Sequence, residues 1–178
     1  QLPTAIIDIT SYSETGYVGQ DIVSMLTRLV HSANNEYTLA SIGIVCIDEF
    51  DKLSSGKNNA IFSGVGTTKD VSGLGVQREL LKMLENADVD VPVELTHSSY
   101  SARATLNTGN IAFIASGAVS GFRHIVRSKN TGIGFDQAVP KGKDKIAISL
   151  NRSDLQRVSY FESYGLMPEL IGRFSRIV

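Results

Sequence analysis

The sequence predicts a single-domain α/β protein built on a mostly parallel sheet, from three observations. Apolar runs short enough for strands alternate with segments of helical period, which implies βα units. Two of those runs, 42–47 and 111–115, are apolar on both pleat faces, as in strands covered by helices on each side. With 178 residues, 42% apolar and 20% charged, the chain is long enough to bury one core.

The elements follow in chain order. Residues 4–9 suit a short strand, and a helix is expected near 19–33, where Ile22, Val23, Met25, Leu26, Leu29 and Val30 recur at three and four to give one apolar face. The run 42–47 is the central strand and ends in acid. From 53 to 72 the chain turns rich in Ser, Gly, Asn, Thr and Lys, which reads as a long loop. A helix near 75–86 follows, with Val76, Leu80, Leu81, Met83 and Leu84 apolar and Ser72 as its N-cap. Residues 91–107 read as a β-rich excursion, 111–115 as a second buried strand closed by Ser116-Gly117-Ala118, and 129–146 as loop. A helix is expected over 152–164, a short one from Pro168 to Ile171, and the start of a last strand at Arg176-Ile177-Val178.

Charge and composition narrow the function. With 17 basic and 18 acidic side chains the formal charge is -1, so no overall pull toward nucleic acid or an anionic membrane is expected. Cys46, the sole cysteine, lies inside an apolar run and reads as a small buried hydrophobe. No apolar stretch approaches the ~20 residues that cross a bilayer, and no secretory signal precedes the first strand, which points to a cytoplasmic protein. The chain opens directly on a strand, the expectation for an excised segment or a truncated copy. Three scattered histidines and one cysteine show no zinc-ligand spacing, and no G-x-S-x-G elbow occurs, so neither a zinc site nor a serine hydrolase is expected.

The strongest chemical signal is Ile44-Val45-Cys46-Ile47-Asp48-Glu49, an apolar strand that delivers two adjacent carboxylates at its C-terminal end, where open α/β sheets bind ligands. One carboxylate there can hold Mg²⁺ through its water shell, and its neighbour can polarise an attacking water for phosphoryl transfer. A strand ending in a solvated acidic turn has the same pattern.

Three further blocks change that weighing: Gly16-Tyr17-Val18-Gly19 ahead of the first helix, Asp70-Val71-Ser72-Gly73-Leu74-Gly75-Val76-Gln77 with Leu80-Leu81-Lys82, and Met167-Pro168-Glu169-Leu170-Ile171-Gly172-Arg173-Phe174. In this order and spacing, and over essentially the whole chain, the blocks resemble the ClpX family of AAA+ protein unfoldases. The resemblance implies a P-loop NTPase (AAA+) αβα sandwich with a mostly parallel sheet, lacking the first strand and the P-loop. Residues 1–178 would form part of the large nucleotide-binding domain, without the N-terminal zinc domain or the small C-terminal lid.

The resemblance also implies roles. ATP and Mg²⁺ would be the cofactors, with Asp48 as the water-mediated metal residue, Glu49 as the base, and Ser116 near the place of the polar sensor that watches the γ-phosphate. Arg173 matches the arginine inserted into the neighbouring subunit's ATP site in a homo-hexamer ring. Tyr17 and Val18 would grip unfolded polypeptide in the axial pore by contacts that need no sequence readout. Ile133, Gly134 and Phe135 look like the tip that docks into a ClpP-type peptidase and separates this family from HslU. Each has a structural alternative: a glycine turn packed on a helix, a turn serine, an arginine at a helix C-terminus, or a hairpin tucked on the domain.

Departures from the family pattern bound these implications. No G-x-x-x-x-G-K-[ST] occurs, since Gly56-Lys57-Asn58 lacks both spacing and hydroxyl, so these 178 residues alone are not expected to hydrolyse ATP and are expected to fold poorly by themselves. In place of a basic pore-entrance loop stands Leu95-Thr96-His97-Ser98-Ser99-Tyr100, which puts tagged-substrate recognition in doubt, and Lys52, Lys57 and Lys69 suit either a substrate-touching or a solvated loop. A degenerate, non-hydrolysing ring or adaptor module and an HslU-like unfoldase remain the alternatives.

Overall fold

The computed structural model describes residues 1–12, 21–54, 71–92, 103–122, 125 and 157–178, with the side chains of Val71 and Ser72 left aside. The expected α/β architecture is present. Strands β1 (Thr4–Asp8), β2 (Ile44–Asp48) and β5 (Ala112–Ala115) form one parallel sheet in the order β1-β2-β5. The acid-ended strand is therefore central, as its unbroken apolar pattern required. Strands β3 (Asp88–Pro92) and β4 (Arg103–Asn107) pair antiparallel as a separate two-stranded sheet, the β-rich excursion of the sequence.

The crossover from β1 to β2 carries α1 (Ser24–Ser32) and the short α2 (Tyr37–Ala40). Met25, Leu26, Leu29 and Val30 of α1 are buried in the same core as Ala5 and Ile7 of β1 and Val45 and Ile47 of β2. Each such side chain contributes about 1.5–3 kcal/mol when fully buried. Helix α1 starts at Ser24, later than the apolar pattern suggests, because Asp21 first closes a turn: its Oδ1 accepts from the Val23 N–H at 3.1 Å and its carbonyl from the Ser24 N–H at 3.0 Å. Gly43 enters β2 where only glycine fits, a Cβ there lying 3.0 Å from the carbonyl oxygens of Ala40 and Pro3.

Helix α3 (Val71–Met83) buries Val76, Leu80 and Met83 and begins before Ser72, so Ser72 lies in its first turn rather than capping it. It stops short of 86 because Asn86 takes the left-handed conformation that ends helices. Helix α4 (Val158–Tyr164) ends at Gly165, whose φ of 108° suits glycine and whose N–H donates to the Phe161 and Glu162 carbonyls. Pro168 opens α5 (Pro168–Gly172) as expected. Phe122 packs among Tyr160, Phe161 and Tyr164 and ties the segment after β5 to α4.

Two further expectations are corrected. Arg176, Ile177 and Val178 form no strand; they line a cavity beside β5 without pairing to it. Cys46 is half-buried rather than buried, because it lies on the pleat face opposite Val45 and Ile47, in register with Ile6 and Ile114, which are 75% and 54% exposed. Among the described residues that second face of the sheet is thinly covered. No helix among them is long and apolar enough to cross a membrane.

Candidate functional site

Parallel pairing brings the C-terminal ends of three strands side by side, with Asp8 in register with Asp48, and Ile47 with Ala115. Ser116, the next residue after β5, is joined both to β2 and to the turn that follows it. Its N–H donates to the Ile47 carbonyl at 2.8 Å, and its carbonyl accepts from the Phe50 N–H at 2.8 Å. Its hydroxyl donates to Asp48 Oδ1 at 3.0 Å, where the Glu49 N–H also donates at 2.8 Å. These are charge-assisted bonds that hold the carboxylate in one orientation at an exposed strand end.

The backbone turns sharply at the second carboxylate. Glu49 adopts φ 55° and ψ 31°, a left-handed conformation that costs a non-glycine residue about 1–3 kcal/mol. The ties of Phe50 to Ser116 and of the Lys52 N–H to the Glu49 carbonyl, at 2.9 Å, hold it there. Gly117 allows the two exits to approach so closely: a Cβ on it would lie 2.7 Å from Asp51 Oδ1 and 3.0 Å from the Asp51 backbone nitrogen.

A cavity of about 730 Å³ opens next to this corner, along the edge of β5. Asp51, Ser116 and Gly117 line it near the strand end, and Phe113, Phe174 and Ile177 supply apolar wall. Asp48 and Glu49 are exposed and do not line it; it adjoins them through Ser116 and through Phe50 and Asp51, which follow Glu49 directly.

Local electrostatics set the neighbouring groups apart. Hydrogen bonds to Asp8 from the Thr10 hydroxyl, then from its backbone N–H, hold that carboxyl below the ordinary carboxylate range. Asp51 is buried and accepts from Lys52 Nζ at 3.3 Å, and that bond raises the Lys52 pKa. Among the described residues no three acidic, histidine or cysteine side chains gather to cage a metal ion. A cation that keeps most of its water and takes one or two carboxylates, as Mg²⁺ does, remains compatible with Asp48, whose hydrogen bonds among the described residues both fall on Oδ1.

Of the residues singled out from sequence, Asp48, Glu49 and Ser116 come together. Arg173 does not join them within the chain; it sits at the C-cap of α5, half-exposed, and its Nη2 donates to Glu85 Oε1 at 2.5 Å. Tyr17, Val18, Ile133, Gly134 and Phe135 lie outside the described residues, as do Lys57, Lys69 and the segment 95–100. Sequence reasoning passed over Asp8, although the run Ala5-Ile6-Ile7 ending in Asp8 repeats the pattern that flagged Asp48. It also passed over the buried Asp51, and gave Gln77 no role beyond its place in the block 70–77.

Residues 2–177 match the family model described as AAA domain (Cdc48 subfamily). The chain is similar to the ATP-dependent Clp protease ATP-binding subunit ClpX of Azotobacter vinelandii, 40% identical over 182 aligned positions, covering 97% of this chain and 38% of that protein. The proteins of the same name from Borrelia duttonii (strain Ly) and Treponema denticola are 37% and 38% identical over 177 positions, covering 97% of this chain and 39% and 41% of theirs. The chain thus spans about two fifths of the length of these relatives.

Proposed function

Because the chain belongs to the AAA domain (Cdc48 subfamily) family, we propose that it is part of an ATP-dependent protein unfoldase whose nucleotide site lies at the joined ends of β2 and β5. The observation that carries this reading is the hydroxyl of Ser116 bonded to Asp48 directly beside Glu49. It places an oriented carboxylate, a second carboxylate and a hydroxyl at the strand ends where α/β sheets bind ligands. The names of the relatives, ATP-binding subunits of a Clp protease, support the same reading.

In this reading residues 1–178 are part of a large AAA+ domain, the phosphates are held by a segment outside these residues, and zinc and lid domains are no part of 1–178. Asp48 holds Mg²⁺ through water, and the ion, when bound, neutralises charge on the phosphates. Glu49 polarises the attacking water, with its strained backbone fixing the carboxylate at the exit of the strand. Ser116 keeps Asp48 oriented and reports the γ-phosphate. Arg173 of one copy serves the site of the next around a homo-hexameric ring, so its distance from Asp48 within one chain is no obstacle. Tyr17 and Val18 press on unfolded polypeptide, and Ile133, Gly134 and Phe135 dock on a ClpP-type peptidase. The work is cytoplasmic and involves neither nucleic acid nor membrane.

The test is ATP binding and turnover by the intact protein that carries this segment. With Glu49→Gln, ATP binding is retained while hydrolysis falls about a hundredfold or more, the usual share of a general base. Turnover that survives the substitution contradicts the assignment. The second reading, a non-hydrolysing ring or adaptor module of the same fold, requires an intact protein that never turns over ATP.

A further inference from the structure

Gln77 is fully buried in the middle of α3, and both N–H donors and the carbonyl oxygen of its carboxamide are engaged far away in sequence. Nε2 donates to the Leu53 carbonyl at 2.7 Å and to the Gly165 carbonyl at 3.3 Å, and Oε1 accepts from the Met167 N–H at 2.6 Å. Leu53 closes the 3-10 turn Phe50–Leu53 that leaves the acidic pair. Gly165 and Met167 frame the turn into α5, whose C-cap is Arg173. Farther along the chain from the same helix, Glu85 bonds the Arg173 guanidinium itself.

We infer that Gln77 is a positioning residue that fixes where Arg173 projects from its own subunit toward the site of the neighbouring copy. One side chain links the segment that follows the carboxylates to the segment that carries the arginine. Only a carboxamide supplies two donors and an acceptor at this reach; a carboxylate loses both donors and an alkyl side chain forfeits all three bonds. The inference rests on the proposal that Arg173 acts on nucleotide in a neighbouring copy, where a displacement of about 1 Å costs up to about a hundredfold in rate.

The test is a double-mutant cycle on ATP turnover by the intact protein. Arg173→Ala is expected to lower kcat about a thousandfold. Gln77→Leu is expected to lower kcat about ten- to a hundredfold with KM for ATP unchanged within about twofold, and the double variant to be no slower than Arg173→Ala alone. Losses that multiply, or a loss confined to KM, overturn the positioning role while leaving Arg173 in place. No effect of Arg173→Ala overturns the reading of the arginine, and the inference with it. If Gln77→Leu does not fold, Gln77→Glu, which keeps the bond from Met167, enters the same cycle, and hydrogen exchange is followed in the unaltered protein. Protection of the Met167 amide at the level of α3 supports the tie, and exchange as fast as that of a free turn refutes it.

Discussion

Gly117→Ala probes the corner that joins Ser116 to the turn after Glu49. The added methyl carbon would sit 2.7 Å from Asp51 Oδ1, 3.0 Å from the Asp51 nitrogen and 3.3 Å from its Cβ, all inside ordinary contact distance. The carboxylate cannot simply swing away: Asp51 is 4% exposed, and its Oδ2 is tied to Lys52. The backbone must therefore open and stretch the bond from the Phe50 N–H to the Ser116 carbonyl. Overpacking of this kind costs about 1–3 kcal/mol. Loss of glycine's freedom in the unfolded chain offsets about 0.4–1 kcal/mol of that. The net expectation is a destabilisation of about 1–2 kcal/mol, or a fall in Tm of about 2–8 °C for a domain of this size. Gly172→Ala is the matched control, since nothing lies within 4 Å of its Cβ position on α5; it should raise stability by up to about 1 kcal/mol. Thermal and urea denaturation of both variants in the intact protein read the difference. Equal effects, or a Gly117→Ala protein as stable as its parent, would refute the close approach of the two strand exits.

Two further outcomes are expected. Phe122→Ala should destabilise by about 3–5 kcal/mol in urea unfolding, because its ring is buried against Tyr160, Phe161 and Tyr164; a loss below about 1 kcal/mol would mean that the segment after β5 does not pack on α4. The Asp8 carboxyl titrates below its ordinary value in the folded chain, so its contribution is present above that value and is lost as the pH falls through the depressed one. Asp8→Asn should therefore flatten the acid limb of stability below the ordinary carboxylate range, and an unchanged slope would show that the bonds from Thr10 do not form in solution.

The parallel sheet and the place of the acidic pair were legible because a central strand leaves a run of apolar residues that no loop has reason to carry, as at 44–47, although only the face of Val45 and Ile47 proves fully buried among the described residues. The ends of the helices were less so. Helix α1 waits for the Asp21 turn, and α3 starts before Ser72, in a glycine-containing stretch that tertiary packing of Val76 and Gln77 holds helical against propensity. Asp48, Glu49 and Ser116 could be assembled on paper from two strand ends, but the left-handed backbone of Glu49 could not, since it arises from bonds between segments 66 residues apart, Phe50 and Ser116. Gln77 stood in a block that resembles the family, but with no role of its own. Its partners lie 24, 88 and 90 residues away, and no local pattern announces them. The pore and docking residues rest on the family resemblance alone, outside the described chain.

The most direct measurement replaces Mg²⁺ with Fe²⁺ in the intact protein and adds ascorbate and peroxide, so that radicals formed at the metal cut the nearest backbone. With ATP present, the fragments should end near residues 48–49 and 116–117, and Asp48→Asn should abolish both cuts. ATP-dependent cleavage that spares those positions, or that persists unchanged in the Asp48→Asn protein, would contradict a nucleotide-bound metal at the joined ends of β2 and β5.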